Sequence, residues 1–230
     1  MIEISLDLSK NTPQYCVNKC TNCTSIEGKS LNPTKNRGCC FYFPKFSLLE
    51  LQRMSKTLEG IHLIKNLVSS KDFIIYKYYI HCVGTFDSDG YSKYIDTPYK
   101  DPADDIIKDK TIFFRTCPFV TAGSGCSLPP YYRTTVCNFY ICNTIYKEAE
   151  KNNDFTLYIR ERQRYSRWVQ WENDTLQKFL EDKNLDLKKN FQQVIDFLIE
   201  EPLDEYEFPM LPRIYLEDTS NPFDNFPNAI

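Results

Sequence analysis

The sequence predicts an α+β protein, helix-rich with a few short strands, organised around a cysteine-ligated metal centre. Three observations carry that expectation. Ten cysteines stand in a chain of 230 residues that has only two histidines. Nine of the cysteines form two groups: Cys16, Cys20, Cys23, Cys39 and Cys40, then Cys117, Cys126, Cys137 and Cys142. After Cys142 the hydrophobic pattern changes from short β-branched and aromatic runs to long stripes at helical spacing.

Taken in order, Met1-Ile-Glu-Ile-Ser-Leu-Asp-Leu alternates apolar and polar residues, the period of a strand. Ser47-Leu-Leu-Glu50 fits a capping box, with Leu48, Leu51, Met54, Ser55 and Leu58 following at helical spacing, which predicts a helix over 47–58. A second short helix is expected over 61–68. The β-branched and aromatic density of 73–83 reads as one strand. Residues 85–109 are polar and rich in Asp, Gly, Pro and Ser, a turn-rich excursion, and 111–115 is a short strand leading into Cys117. Phe155, Tyr158, Ile159, Tyr165, Trp168, Val169, Leu176 and Phe179 stripe a long helix over 155–180, and 187–199 reads as another. These segments divide the chain into a cysteine-cluster region (1–150), a helical extension packed on it (151–200) and an acidic, Pro-rich extended tail (201–230).

Composition excludes several function classes. The net charge of −3 is unlike the strongly basic domain of a general polyanion binder, so nucleic acid is not an expected partner,. No apolar run approaches the ~20 residues of a membrane span. The N-terminus lacks the basic start and apolar stretch of a signal peptide, and a cytoplasmic protein is expected. With seven glycines and no GxGxxG or GxxxxGK[ST], the phosphate-cradling loops are missing,. Two histidines, His62 and His81, leave little for a Ser–His–Asp or His-rich zinc site.

In a reducing compartment a set of ten thiols reads as metal ligands or reactive groups rather than as a disulfide framework,. Thiolates bind soft or borderline metals, and the Cys20-Thr-Asn-Cys23 turn lets two sulfurs converge on one ion. The adjacent side chains of Cys39 and Cys40 diverge, so they suit two metals, or one metal and one structural contact. Gly123 and Gly125 predict a hairpin that brings Cys117 and Cys126 together. Cys137 and Cys142 lie where the chain enters a helix. Cys82, beside His81 in an apolar strand, reads as a buried structural thiol. The nine clustered cysteines are the candidate metal ligands, with zinc favoured over an iron–sulfur cluster because no tight multi-Cys run accompanies Cys-x2-Cys.

The order Cys-x3-Cys-x2-Cys, Gly38-Cys39-Cys40-Phe41, Cys117-Pro118-Phe119-Val120, Cys126-Ser127-Leu128 and Arg133-x3-Cys137 resembles the YkgJ-like family of cysteine-cluster proteins, described as zinc- or iron-chelating domains. The resemblance covers residues 16–142. It departs in the long spacer of 24–38, in the lack of Pro after Arg133, and in Asn138 where the family has Arg. It implies a metal-binding protein whose metal is mainly structural or serves metal handling. A weaker similarity, to flagellin lysine N-methylases of the FliB type, implies methyl transfer to protein lysine. Cys16-x3-Cys20-x2-Cys23 also has the spacing of the radical S-adenosylmethionine cluster loop, although the βα alternation and Gly-rich segment of that fold are absent. An iron–sulfur enzyme is therefore one alternative, and a metal-stapled protein-interaction module is another.

Three other features have ordinary readings. Arg160, Arg162, Arg164 and Arg167, interleaved with Tyr165, Trp168 and Trp171, could grip single-stranded nucleic acid but fit an amphipathic helix with core aromatics. Asp87-Ser-Asp-Gly90 begins like a calcium loop and lacks its later ligands, so it reads as a turn. From Glu200 onward the chain carries a charge of −7 against +4 for the rest. This tail could dock a protein partner or fold back on the arginine helix.

Overall fold

The structure is a computed structural model that describes residues 1–8, 12–18, 43–97, 109–121 and 125–217. Helix accounts for 49% of these residues and strand for 17%, so the chain is α+β with helix dominant. Strand β1 (Ile2–Asp7) pairs antiparallel with β2 (Gln14–Val17) on one side and, on the other, with β10 (Ile214–Leu216) near the far end of the described chain. A second sheet has the order β3 (Lys45–Ser47), β5 (Tyr79–Cys82), β4 (Phe73–Ile75). Two small ribbons follow, β6 (Thr85–Phe86) with β7 (Arg115–Thr116) and β8 (Val120–Thr121) with β9 (Gly125–Cys126).

Helix α1 (Leu48–Ser55) is the hub. Every one of its residues is buried, including Glu50, Gln52 and Arg53. The expected capping box is present: Glu50 Oε2 accepts from the Ser47 backbone N–H at 2.8 Å. A second tether comes from α6 (Phe155–Asp182), whose Asn173 Oδ1 accepts from Leu49 N at 2.9 Å. The helix ends at Ser55, earlier than its apolar spacing suggests, because a new helix, α2 (Leu58–Ser69), begins after Thr57, whose hydroxyl accepts from Gly60 N at 3.0 Å. Gly60 permits that tight corner: a Cβ there would lie 2.0 Å from the Met54 carbonyl oxygen. Leu58, assigned to the α1 stripe by spacing, is 79% exposed in consequence.

Other expectations shift for local reasons. The single strand over 73–83 is two strands, β4 and β5, joined by a turn at Tyr76–Tyr78 in which the rings of Tyr76 and Tyr79 stack at 4.5 Å. Residues 110–114 form a 3-10 turn, with β7 only after it. Asp87 is a helix N-cap: its Oδ1 accepts from Gly90 N at 2.9 Å and starts α3 (Ser88–Asp96), a helix inside the segment expected to be turns alone. Short helices α4 (Thr135–Asn138) and α5 (Asn143–Ala149) precede α6, and α7 (Phe191–Glu200) follows it. Asn184, at φ 55°, stops α6 in the left-handed conformation that Asn tolerates,.

Two apolar clusters result. One unites Phe46, Leu51, Met54, Ile80, Leu180 and Leu198 with their neighbours on α2, α6 and α7. The other unites Ile4, Tyr15, Phe139, Phe155, Tyr158 and Ile214. Trp168 and Val169 of α6 lean against both, so this helix is the spine between them. Each fully buried Leu or Phe contributes about 1.5–3 kcal/mol relative to exposure, and both clusters draw on residues before and after position 150. The stretch from 202 to 213 is extended along α6: Tyr158 Oη donates to Pro212 O at 2.8 Å and Tyr206 Oη to Glu161 Oε1 at 2.6 Å. The acidic segment is thus held here by aromatic hydroxyls and rings, with Tyr206 5.5 Å from Trp168. No helix among the described residues is long and apolar enough to cross a membrane.

Candidate metal centre

Strand pairing brings two thiols near each other, and a short ribbon carries a third toward one of them. Along β5, Ile80 and Cys82 are fully buried while Tyr79 and His81, alternating with them, are only partly so, the period of a strand with one face inward,. Cys82 is locked at the strand end, its N–H donating to Pro44 O at 2.8 Å. The chain then turns at Gly84, whose φ of +66° and missing Cβ let the Phe43 ring and the Thr116 carbonyl approach from two sides. Pairing of Thr85 with Thr116 sets Cys117 beside Cys82. Interaction with the Cys82 thiol, together with burial, holds the Cys117 thiol far above the usual range.

Cys126 stands on the β8–β9 ribbon, where it pairs with Val120, within electrostatic reach of Cys117. Phe119 anchors the ribbon: its carbonyl accepts from Ser127 N at 2.7 Å, and its ring lies 6.1 Å from Phe46 and 5.8 Å from Phe73. Burial raises the Cys126 pKa, and the Arg133 guanidinium opposes it. Arg133 closes the loop that carries Cys126, donating from Nε to Leu128 O at 2.6 Å and from Nη2 to Cys126 O at 3.2 Å. The same guanidinium bears on Cys16 of β2, whose thiol is raised by burial and by Asp7. One cation therefore acts electrostatically on a thiol of the early group and on a thiol of the late group.

The remaining thiols are placed differently. Cys137, in α4, accepts from Thr134 Oγ1 at 3.2 Å. Cys142 is the N-cap residue of α5 and is buried in the cluster around Phe139 and Tyr15. Cys20, Cys23, Cys39 and Cys40 lie outside the described residues. The six described cysteines are all thiols. Among the described residues no group of three or more His, Cys, Asp or Glu is arranged to hold a metal ion.

Cys82 is fully buried, as expected of a structural thiol, and the thiol it interacts with there is Cys117. The burial alternation of Tyr79-Ile-His-Cys82 was the available signal for its inward direction, but nothing local announced its partner. His81 is on the other face, against Tyr76 and Lys45, where burial and the lysine lower its pKa. Arg133 was recognised only as part of a pattern, and its contacts supply the physical role. On the arginine helix, Tyr165 is core, Trp171 is 60% exposed, and Arg164 pairs with Glu161 at 3.4 Å. No family model, curated protein or solved structure matches the chain.

Proposed function

We propose that the chain is a cysteine-cluster metal-binding protein of the YkgJ-like kind, holding zinc in a mainly structural or metal-handling role. The observation that carries this reading is the interaction of the Cys82 and Cys117 thiols, with Cys126 held on a ribbon within electrostatic reach of Cys117. Thiols need no metal to be stable, and these three alone do not make a site. Their donor chemistry nevertheless suits zinc, which four sulfurs enclose in closed structural sites. Phe43 abuts Gly84 in the turn between these thiols, and Cys39 and Cys40 lie at most four residues upstream of it.

The candidate ligands are Cys39, Cys40, Cys82, Cys117 and Cys126, with Cys16, Cys20, Cys23, Cys137 and Cys142 as further donors of the two groups. Bound zinc would replace thiol protons and add its binding free energy to folding. Arg133, whose charge bears on Cys16 and Cys126, would offset the negative charge of a thiolate-rich site,. Anaerobic purification with metal analysis and an absorption spectrum tests the proposal. Colourless protein with stoichiometric zinc, reduced in Cys39→Ser and Cys117→Ser, is expected. Brown protein with labile sulfide would replace zinc by an iron–sulfur cluster, and metal content indifferent to both substitutions would remove the proposal altogether.

A further inference from the structure

Helix α6 carries an exposed face that neither apolar cluster uses. Arg160, Arg164, Arg167 and Trp171 stand at i, i+4, i+7 and i+11, which the helical turn places in one line along the axis,. All four are exposed, the Arg164 side chain at 52% and Trp171 at 60%. Gln163, Ser166 and Gln170, also exposed, flank the line with neutral hydrogen-bonding groups. Arg162 stands off it, its charge bearing on Tyr15. Among the described residues the one ion pair these arginines make is Arg164 with Glu161 at 3.4 Å. Glu161 also accepts from the Tyr206 hydroxyl at 2.6 Å, so it offsets a single guanidinium only in part. The charges of Arg164 and Arg167 reach Tyr206, whose exposed neighbours Glu205 and Glu207 bound the basic line on that flank. Asp174, which accepts from Gln170 Nε2 at 2.7 Å, closes it at the far end.

An amphipathic helix accounts for the core Tyr165 and the half-buried Trp168, but not for Trp171. Tryptophan is on average a highly buried residue. Left open at the end of an arginine ladder, it suits a partner that brings both anions and flat rings. Guanidinium groups bind phosphate bidentately, and an indole stacks on any base because every base has a π-face. A run of carboxylates would satisfy the arginines and offer the indole nothing, while a duplex keeps its bases stacked on one another. From Arg160 to Trp171 the helix rises about 16 Å, the length of about five stacked nucleotides at ~3.4 Å each. The net charge of −3 combines −7 from Glu200 onward with +4 for the rest, so it does not describe this face. We propose that this face of α6 binds single-stranded nucleic acid without strong sequence preference. Its phosphates lie on Arg160, Arg164 and Arg167, and one base stacks on Trp171. No cysteine lies on the face, so this proposal and the thiol reading stand or fall separately.

The test uses the full chain and fluorescence anisotropy of labelled single-stranded RNA and DNA of one mixed sequence, about 12 nucleotides long, within the site sizes of single-strand binders. The duplex of that sequence, polyglutamate and phosphatidylserine vesicles serve as competitors. Saturable binding of a single strand is expected, with the duplex weaker. The logarithm of affinity should fall against log salt with a slope of about −2, since each phosphate contact on a single strand contributes about −0.7. Arg160→Gln, Arg164→Gln and Arg167→Gln should each make that slope shallower by about 0.7. Trp171→Ala should weaken binding about tenfold at unchanged slope, as loss of one stacking platform implies, and Trp171→Phe should recover part of it. All four positions are exposed, and circular dichroism checks that each variant keeps its helix content. Absence of saturable binding at about 50 mM salt overturns the assignment. So does binding indifferent to the three arginines or to Trp171, or a competitor bound as tightly as the single strand.

Discussion

Glu50 joins two distant parts of the chain through one buried carboxylate, and its removal gives a stability change that can be worked from the contacts. Its Oε2 accepts from Ser47 N at 2.8 Å and from the Ser47 hydroxyl, closing the N-terminus of α1. Its Oε1 accepts from Thr135 N at 3.0 Å and Thr135 Oγ1 at 3.2 Å, at the first turn of α4. That N–H is one of the first-turn donors with no acceptor inside its own helix. Glu50→Ala loses the capping box, at about 1 kcal/mol. It also orphans the part-buried Thr135 N–H, at about 1–2 kcal/mol, the lower part of the range for a stranded buried donor. The variant should therefore be less stable by about 2–3 kcal/mol. Glu50→Gln keeps one acceptor oxygen and turns an amide toward the other pair of donors, so it should cost about half as much. Urea unfolding followed by circular dichroism measures both, with unchanged slopes showing that native compactness is kept. Both variants within about 0.5 kcal/mol of the parent, the range of an ordinary surface change, would refute the idea that this carboxylate ties α1 to the Cys137 segment.

Gly60→Ala should destabilise by about 1–3 kcal/mol, as overpacking does, even though alanine is the better helix former, because the new Cβ would meet the Met54 backbone at 2.0 Å; thermal melting reads the sign. Burial and the hydrogen bond to Glu161 push Tyr206 up to about 12. An acid group whose folded pKa is raised keeps its proton when the unfolded chain has lost it, so this contribution is intact below pH ~10 and disappears as pH rises toward 12,. Tyr206→Phe should flatten that part of the alkaline stability profile, and a profile of unaltered slope would count against the Tyr206–Glu161 contact. Cys82→Ser should lower metal content together with Cys117→Ser, measured as metal per chain; retention of full metal by Cys82→Ser alone would return that residue to a structural role.

Local chemistry was readable in the sequence where a few adjacent residues decide the outcome. The Ser47–Glu50 capping box, the stripe of α6 and the ribbon that pairs Cys126 with Val120 all belong to this kind. What escaped depends on long-range pairing. The interaction of Cys82 with Cys117 is set by Thr85 meeting Thr116, and β1 finds β10 across most of the chain. The break between β4 and β5 escaped because Tyr76-Lys-Tyr78 contains none of the Gly, Pro, Asn or Asp signals by which turns are recognised. Asp87 was a matter of ambiguity: the same short polar side chain suits a turn, a calcium loop or an N-cap, and only the following residues' helical path selects the last,. Of the site, the Cys117–Cys126 neighbourhood was legible from the glycine-rich turn. Arg133's influence on Cys16 and Cys126 was not, since a guanidinium's reach is set by the loop it closes.

Zinc-edge X-ray absorption on the anaerobically purified full chain measures most directly whether these sulfurs ligate a metal. A shell of sulfur alone at about 2.3 Å is the predicted result. A shell of nitrogen and oxygen near 2.0–2.1 Å, or a folded chain that carries no metal at all, would contradict it.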